Sequence, residues 1–396
     1  MRRRFLFFCS LLLLALPASP ASIAVLRFQN NSQYSDLNWV GESIATTLMN
    51  EFAAHNEIVL SRGARTEAMN RLSLRPDGNF TKATLIRLGQ TLDAEYLCFG
   101  SFDVTLPSSQ APLKDSSIRI ATQFVDLRKM HDGPEMSEAG RLTELSRLQE
   151  HLAYESLKYL QPKADLKADD FMSPQKAVRL DAQESYVRGL LSENREQKQK
   201  WFLQAVALDG KFADPAYELG RICLEQRQYP QAIDWFRRIA PAQPAYPEAR
   251  FRMGLAAYGS ADYAAAASYF RETLKTYPLS EVYNNLGAAE TQLNQPAAID
   301  DLRHALETDP NNPAYLFNFG VALLKINSFD DAAQRFRQAL DHSPSDAEAR
   351  TLLDQAMRRQ PVLAAMKLPP LRLKTSFSAT AFRQLKAMLQ PSGSSQ

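Results

Sequence analysis

The chain has 396 residues, 45% hydrophobic and 23% charged, with a formal net charge of +2. That length suits two or three domains, and the composition is that of a globular protein, not a disordered or fibrous one. Three arginines and no acid fall within residues 1–21, so the remainder carries a net charge of about −1. It lacks the surplus of Lys and Arg that a phosphate-binding surface needs, which sets nucleic acid aside.

Residues 1–21 read as a secretory signal peptide. Arg2, Arg3 and Arg4 precede the apolar run Phe5 to Leu16, and Ser19 and Ala21 are small residues placed for cleavage after Ala21. The run is shorter than the ~20 residues a bilayer span requires. Phe8 stands where a lipid-attachment motif around Cys9 needs a small residue. No later segment is long and apolar enough to span a membrane. The expectation is therefore export to the periplasm with no transmembrane span in the mature chain. Association with the outer membrane stays open.

Residues 22–162 are expected to form a small α/β domain. Ser22 to Phe28 is a β-rich apolar run read as a buried strand. Leu37, Val40, Ile44, Leu48 and Phe52 repeat at helical spacing, with Asp36 as the N-cap. Glu57 to Ser61 reads as a strand, and Ala64 to Leu72 and Thr81 to Leu92 as helices. Glu95 to Val104 and Ile118 to Leu127 alternate like paired strands. His131-Asp132-Gly133 is taken as a tight turn before an edge strand near Glu135 to Arg141. Leu145 to Leu160 is an amphipathic helix. The runs "IAVLRFQNNSQYSDLNWVGESIATTLMNEF" (Ile23 to Phe52) and "LGQTLDAEYLCFGSFDV" (Leu88 to Val104) resemble the N-terminal domain of TolB. They also resemble the related domains of curli-secretion and FlgO-type flagellar envelope proteins. The resemblance implies a domain that docks other envelope proteins. It departs from TolB in that no β-propeller follows.

Residues 163–180 are charged and read as a linker. Residues 181–360 are repetitive. Gly220, Gly254, Gly287 and Gly320 recur at spacings of 34, 33 and 33, and Pro244, Pro278, Pro310 and Pro344 at 34, 32 and 34. Ala232, Ala266, Ala298 and Ala332 keep the same beat, and Phe236, Phe270, Leu302 and Phe336 each precede a proline by eight. Each unit is expected to be a helical hairpin whose small residues allow close approach, the aromatic filling the gap between hairpins. The runs "YNNLGAAETQL" (Tyr283 to Leu293) and "AQRFRQALDHSPSD" (Ala333 to Asp346) resemble the tetratricopeptide repeat family, whose period is about 34 residues. A degenerate first repeat covers Gln183 to Gly210, and Ala347 to Arg359 reads as a capping helix. Residues 361–396 form an extension broken by Pro361, Pro369 and Pro370. It has room for one short docked helix at Ala379 to Leu389, then a disordered tail.

No nucleophile elbow, Walker loop, G-x-G-x-x-G or H-E-x-x-H is present, and the five histidines show no metal-ligand spacing. Asp300-Asp301 and Asp330-Asp331 open second helices of repeats, where acids complement the helix dipole. No enzymatic activity, cofactor or metal is expected. Cys98 and Cys223 are read as isolated buried thiols, although export would permit a disulfide.

In the resembling family the first helices line the concave groove. The positions this implies are Tyr217, Phe251, Asn284 and Phe317, with Asn285, Asn318 and Arg221 beside them. Aromatics there supply anchor area or pack against the next hairpin. Asn285 and Asn318 are read as ligand contacts, since an amide gains little by packing and can hold peptide backbone with donor and acceptor together. The expected function is a periplasmic interaction scaffold or adaptor that holds a partner protein or peptide in the groove. The alternative is a structural or regulatory subunit of an outer-membrane secretion or motility assembly.

Overall fold

The computed structural model describes residues 22–75, 78, 80–108, 110–171, 177–363, 368–379, 382 and 386. Residues 1–21, read above as a signal peptide, and residues 391–396, read as a tail, lie outside them. So does most of the helix read at Ala379 to Leu389, of which only Ala379, Phe382 and Lys386 are described, all helical.

The N-terminal domain is a mixed sheet between two helical layers. Its strands are β1 (Ser22–Val25), β2 (Gln29–Asn30), β3 (Ile58–Val59), β4 (Tyr96–Thr105), β5 (Ser117–Asp126) and β6 (His131–Arg141). The order is β3-β1-β4-β5-β6, with β2 beside β4. The first pairings, β3/β1 and β1/β4, are parallel, and β4/β5/β6 is an antiparallel meander. Alternation along β1 fills both faces. Ile23 and Val25 join the core under α1 (Trp39–Ala54), while Ala24 and Leu26 join the core under α2 (Arg62–Arg71) and α3 (Lys82–Thr91). Helix α4 (Leu145–Leu160) lies beside α1 on the first face. Gly41 lets α1 touch the sheet: a Cβ there would stand 2.0 Å from the Phe28 carbonyl oxygen. Glu42 of α1 and Arg65 of α2 form a buried bidentate pair at 2.6 and 2.7 Å, and Arg65 also donates to the Val25 carbonyl.

Two local expectations are corrected. Asp36 sits in a 3-10 turn, and Asn38 precedes α1 without a side-chain cap. The β5–β6 turn is at residues 127–130, with Met130 at φ 52°, so His131 to Gly133 already belong to β6. Part of the stretch read as a charged linker, residues 163–180, packs on the N-terminal domain. It contains α5 (Ala168–Phe171), whose buried Phe171 ring packs on His55 and Tyr154.

The helical array runs α6 (Leu180–Leu191), α7 (Arg195–Leu208), α8 (Ala213–Glu225), α9 (Tyr229–Phe236), α10 (Tyr246–Gly259), α11 (Tyr263–Leu274), α12 (Ser280–Gln292), α13 (Ala298–Thr308), α14 (Pro313–Lys325), α15 (Phe329–His342) and α16 (Ala347–Met357). The repeat glycines seat the large apolar residue of their own hairpin, not a neighbour's. A Cβ at Gly220, Gly254 or Gly320 would come within 2.5–2.7 Å of the ring of Phe236, Phe270 or Phe336, and at Gly287 within 2.6 Å of Leu302. Each first helix closes on a left-handed residue: Arg227, Ala261, Asn294 and Asn327, at φ 56–62°. The next amide bonds back to the carbonyl five residues earlier, as in Gln228 to Cys223 and Ser328 to Leu323. This is a Schellman closure.

Domain and array share a core. Leu48, Phe52 and Leu145 cluster with Tyr186, Phe202 and Leu219. At its centre the fully buried Gln149 of α4 donates to Ser43 Oγ (3.0 Å), and its Oε1 accepts from Thr47 (3.0 Å) and from Gln183 of α6 (2.6 Å). Arg62 also donates to the Leu190 carbonyl. Cys98 and Cys223 are both buried and unpaired.

Candidate functional site

The chain's own residues 371–377 lie against α10, α12, α14 and α16, with residues 372–374 turning alternate main-chain groups to the array and a bend at Thr375. Pro369 and Pro370 favour extended backbone just before this segment. Leu371 is buried with Leu352 and Ala356, and Leu373 and Phe377 pack on the cluster of α10, α11 and α12.

Two asparagines one repeat apart read the main chain of this segment. Asn318 Oδ1 accepts from the Arg372 N–H at 2.8 Å, and its Nδ2 donates to the Arg372 carbonyl at 2.9 Å. Asn285 repeats the exchange with Lys374, both bonds at 2.8 Å. Asn284 also donates to the Arg372 carbonyl (2.9 Å) and accepts from Asn318, so the amides form a chain. In an extended strand, residues two apart turn the same edge outward, ~6.6–6.8 Å along. One repeat therefore matches one dipeptide of the bound segment, which runs antiparallel to the array.

Side-chain pockets flank this ladder. Arg372 forks onto Asp346 of the loop before α16 and reaches Glu348 at 3.2 Å, and its guanidinium lies 3.6 Å from the Phe317 ring centroid. The hydrogen bond from Arg372 holds the Asp346 carboxyl below its usual range, aided by backbone N–H donors and opposed by burial. Lys374 Nζ lies over Tyr315 at 4.9 Å. Phe377 meets Phe251 edge-on at 4.9 Å and Tyr277 at 5.3 Å.

Of the residues expected in the groove, Phe251, Asn284, Asn285, Phe317 and Asn318 converge on this segment. Phe251 does both things left open for it, packing on Phe270 of its own hairpin and receiving Phe377. Tyr217 and Arg221 lie elsewhere. Tyr217 packs on Phe236 and accepts from Arg252 at 2.8 Å. Arg221 pairs with Glu218 and lines a cavity of about 690 Å³ between the array and the N-terminal domain, with Arg62, Arg195 and Lys198. Sequence reasoning missed Tyr315, Tyr277, Asp346, Glu348 and the segment itself. Its signal was the period-two run Leu371-Arg372-Leu373-Lys374 after two prolines.

Among the described residues no group of three or more His, Cys, Asp or Glu side chains could hold a metal, and no helix is long and apolar enough to cross a membrane. The paired acids differ in setting. Asp300 is exposed and bonded to Arg303, whereas burial, then a hydrogen bond and repulsion from Glu290, push the Asp301 carboxyl up to about 7. Helix-dipole complementarity alone does not describe Asp301.

Models of the tetratricopeptide repeat family match residues 199–247, 251–313 and 296–356. The helical array is thus built of tetratricopeptide repeats, an architecture of protein-interaction scaffolds, behind a small mixed-sheet domain. Over 106 residues the chain is 30% identical to sperm-associated antigen 1 of Rattus norvegicus, covering 26% of this chain and 12% of that protein. It is 25% identical over 166 residues to a DnaJ homolog subfamily C member 7 homolog of Dictyostelium discoideum, covering 37% of this chain and 31% of that one. The chain thus spans under a third of the length of either relative. Among solved structures it is similar to YrrB, a TPR protein with an unusual peptide-binding site (19% identity, 45% of this chain and 92% of that chain, TM-score 0.40). It is also similar to MamA of Desulfovibrio magneticus RS-1 (18% identity, 42% and 95%, TM-score 0.38).

Proposed function

We propose that this chain is an adaptor that holds an extended segment of a partner protein in the groove of α10, α12 and α14. What supports this is the double hydrogen bonding of Asn285 and Asn318 to alternate residues of an extended main chain. Amides bonded to backbone take a peptide irrespective of much of its sequence, and flanking pockets then supply preference. The adaptor works in the cell envelope, on the periplasmic side, after export directed by residues 1–21. Arg2 to Arg4, the apolar run and the small residues before Ser22 support that placement. The N-terminal domain is the second contact surface, joining the groove's cargo to an envelope assembly.

The test is site-specific photo-crosslinking in cells from a residue introduced at Glu281, one turn before Asn285 on the same face of α12, with the crosslinked peptides identified. Wild type is compared with Asn285→Ala/Asn318→Ala in the full chain. A partner crosslinked through one short extended segment, and lost in the double variant while the melting curve persists, supports the adaptor. Equal crosslinking by both chains sinks the groove as the site. The export proposal fails if a chain with residues 1–21 deleted fractionates identically with wild type.

A further inference from the structure

We infer that residues 371–377 are an internal ligand gating the groove, and that the external ligand they stand in for is an extended protein segment with a cation, a second cation two residues on, and an aromatic three beyond that. This rests on the groove being a peptide site and goes further by naming what it prefers and what controls access to it.

The contacts divide into two kinds. Those to the main chain at Arg372 and Lys374 are bonds any extended peptide can make. Those to side chains are selective. Asp346 and Glu348 oppose a guanidinium stacked on Phe317, a bidentate and planar arrangement that suits Arg better than Lys. Tyr315 offers its face to the second cation, and Phe251 with Tyr277 encloses an aromatic ring. An arginine fork, a cation over a tyrosine and a buried phenylalanine are the hot-spot chemistry of peptide interfaces, here satisfied from within one chain.

The tether makes this occupant a gate. Met357 ends the array and Leu371 enters the groove fourteen residues later, so the local concentration of the segment is on the order of millimolar. An external peptide of equal intrinsic affinity binds only the open fraction, and its apparent affinity falls by that fraction. An intrinsic Kd of ~10 μM against ~1 mM tethered segment predicts ~100-fold weakening.

The experiment uses the full chain and a dye-labelled peptide of residues 369–379, PPLRLKTSFSA, followed by fluorescence anisotropy. In the variant Arg372→Glu/Phe377→Ser the internal segment is released, and the peptide is expected to bind at least tenfold tighter than to wild type. Adding Asn285→Ala/Asn318→Ala to the released variant abolishes that binding, and so does glutamate in place of arginine in the peptide. A released, folded variant that binds the peptide no better than wild type overturns the inference. If the crosslinking of the previous section is still Asn-dependent in that case, the peptide groove stands and only the internal ligand falls; if not, both fall. Should the released variant fail to fold, hydrogen exchange on wild type decides. Arg372 and Lys374 amides that open well before α14 support a gate, and amides that exchange only with α14 show a structural strap and overturn it. A concentration-dependent dimer whose groove holds the segment of a second copy would overturn it too.

Discussion

The side chain of Asn318 closes a ring with the main chain of Arg372, accepting at 2.8 Å and donating at 2.9 Å across 54 residues of sequence. Replacing Asn318 with Ala leaves a buried N–H and C=O without that partner, at a cost of about 1–3 kcal/mol to docking of the segment. Hydrogen exchange should accelerate at Arg372 and Lys374 by ~10–100-fold and leave β4 and β5 unchanged.

Docking should also depend on acid. Arg372 holds the Asp346 carboxylate below its usual value. A carboxylate with a depressed folded-state pKa contributes stability that is fully present above its unfolded value of ~3.9 and is lost as pH falls through the folded value. A dye at the C-terminus should therefore show constant anisotropy from pH 5 to 8 and increased mobility below pH 4. Asp346→Asn should be mobile across the whole range.

Asp301 gives the opposite sign. Burial and Glu290 raise its carboxyl to about 7. A raised carboxylate favours the folded state below its unfolded value, and that advantage is lost as pH rises through the folded one. Asp301→Asn is expected to raise Tm more at pH 8 than at pH 5, which thermal melts at the two pH values will show.

The repeat glycines are set by the ring above them. Gly320→Ala puts a methyl 2.6 Å from Phe336, an overpacking that costs about 1–3 kcal/mol. Gly210, whose nearest atom would be 3.9 Å from an added Cβ, is the control and should tolerate alanine. Chemical denaturation of both variants checks the contrast.

Ala261 occupies the left-handed position that Asn294 and Asn327 fill in the next two repeats. Asn adopts that conformation at lower cost than Ala. Ala261→Asn should stabilise the array by about 0.5–1 kcal/mol, measured as a shifted denaturation midpoint at unchanged slope.

The period of the array was legible because Gly254 and Phe270, or Gly320 and Phe336, are one packing event written twice in the sequence. Helix Leu145 to Leu160 and the β4–β5 pair were legible from their periodicity. The groove was half legible. Asn285 and Asn318 stood out because polar amides sit badly on a packed helix face, whereas Asp346 precedes α16 as a helix N-cap does, and it accepts from the Ala349 N–H. Tyr217 and Arg221 share the repeat phase of the groove residues, but phase does not say where a bound segment ends. Pro369 and Pro370 were read as punctuation before a helix, while the alternation from Leu371 to Lys374 was the stronger cue. Nothing in the sequence marks Gln149 and Gln183 for burial, which follows from the meeting of α4 and α6 with α1.

The Gln149 node has a mechanical consequence. Three helices from two parts of the chain meet on one amide, inside an apolar core that continues into Phe202 and Leu219. Turning the sheet relative to the solenoid would strand that amide and split the core, so the two move as a single bracket. Whatever the sheet were fixed to would thereby set the compass bearing of the groove, and a segment held there would be presented at one angle instead of swinging on a leash.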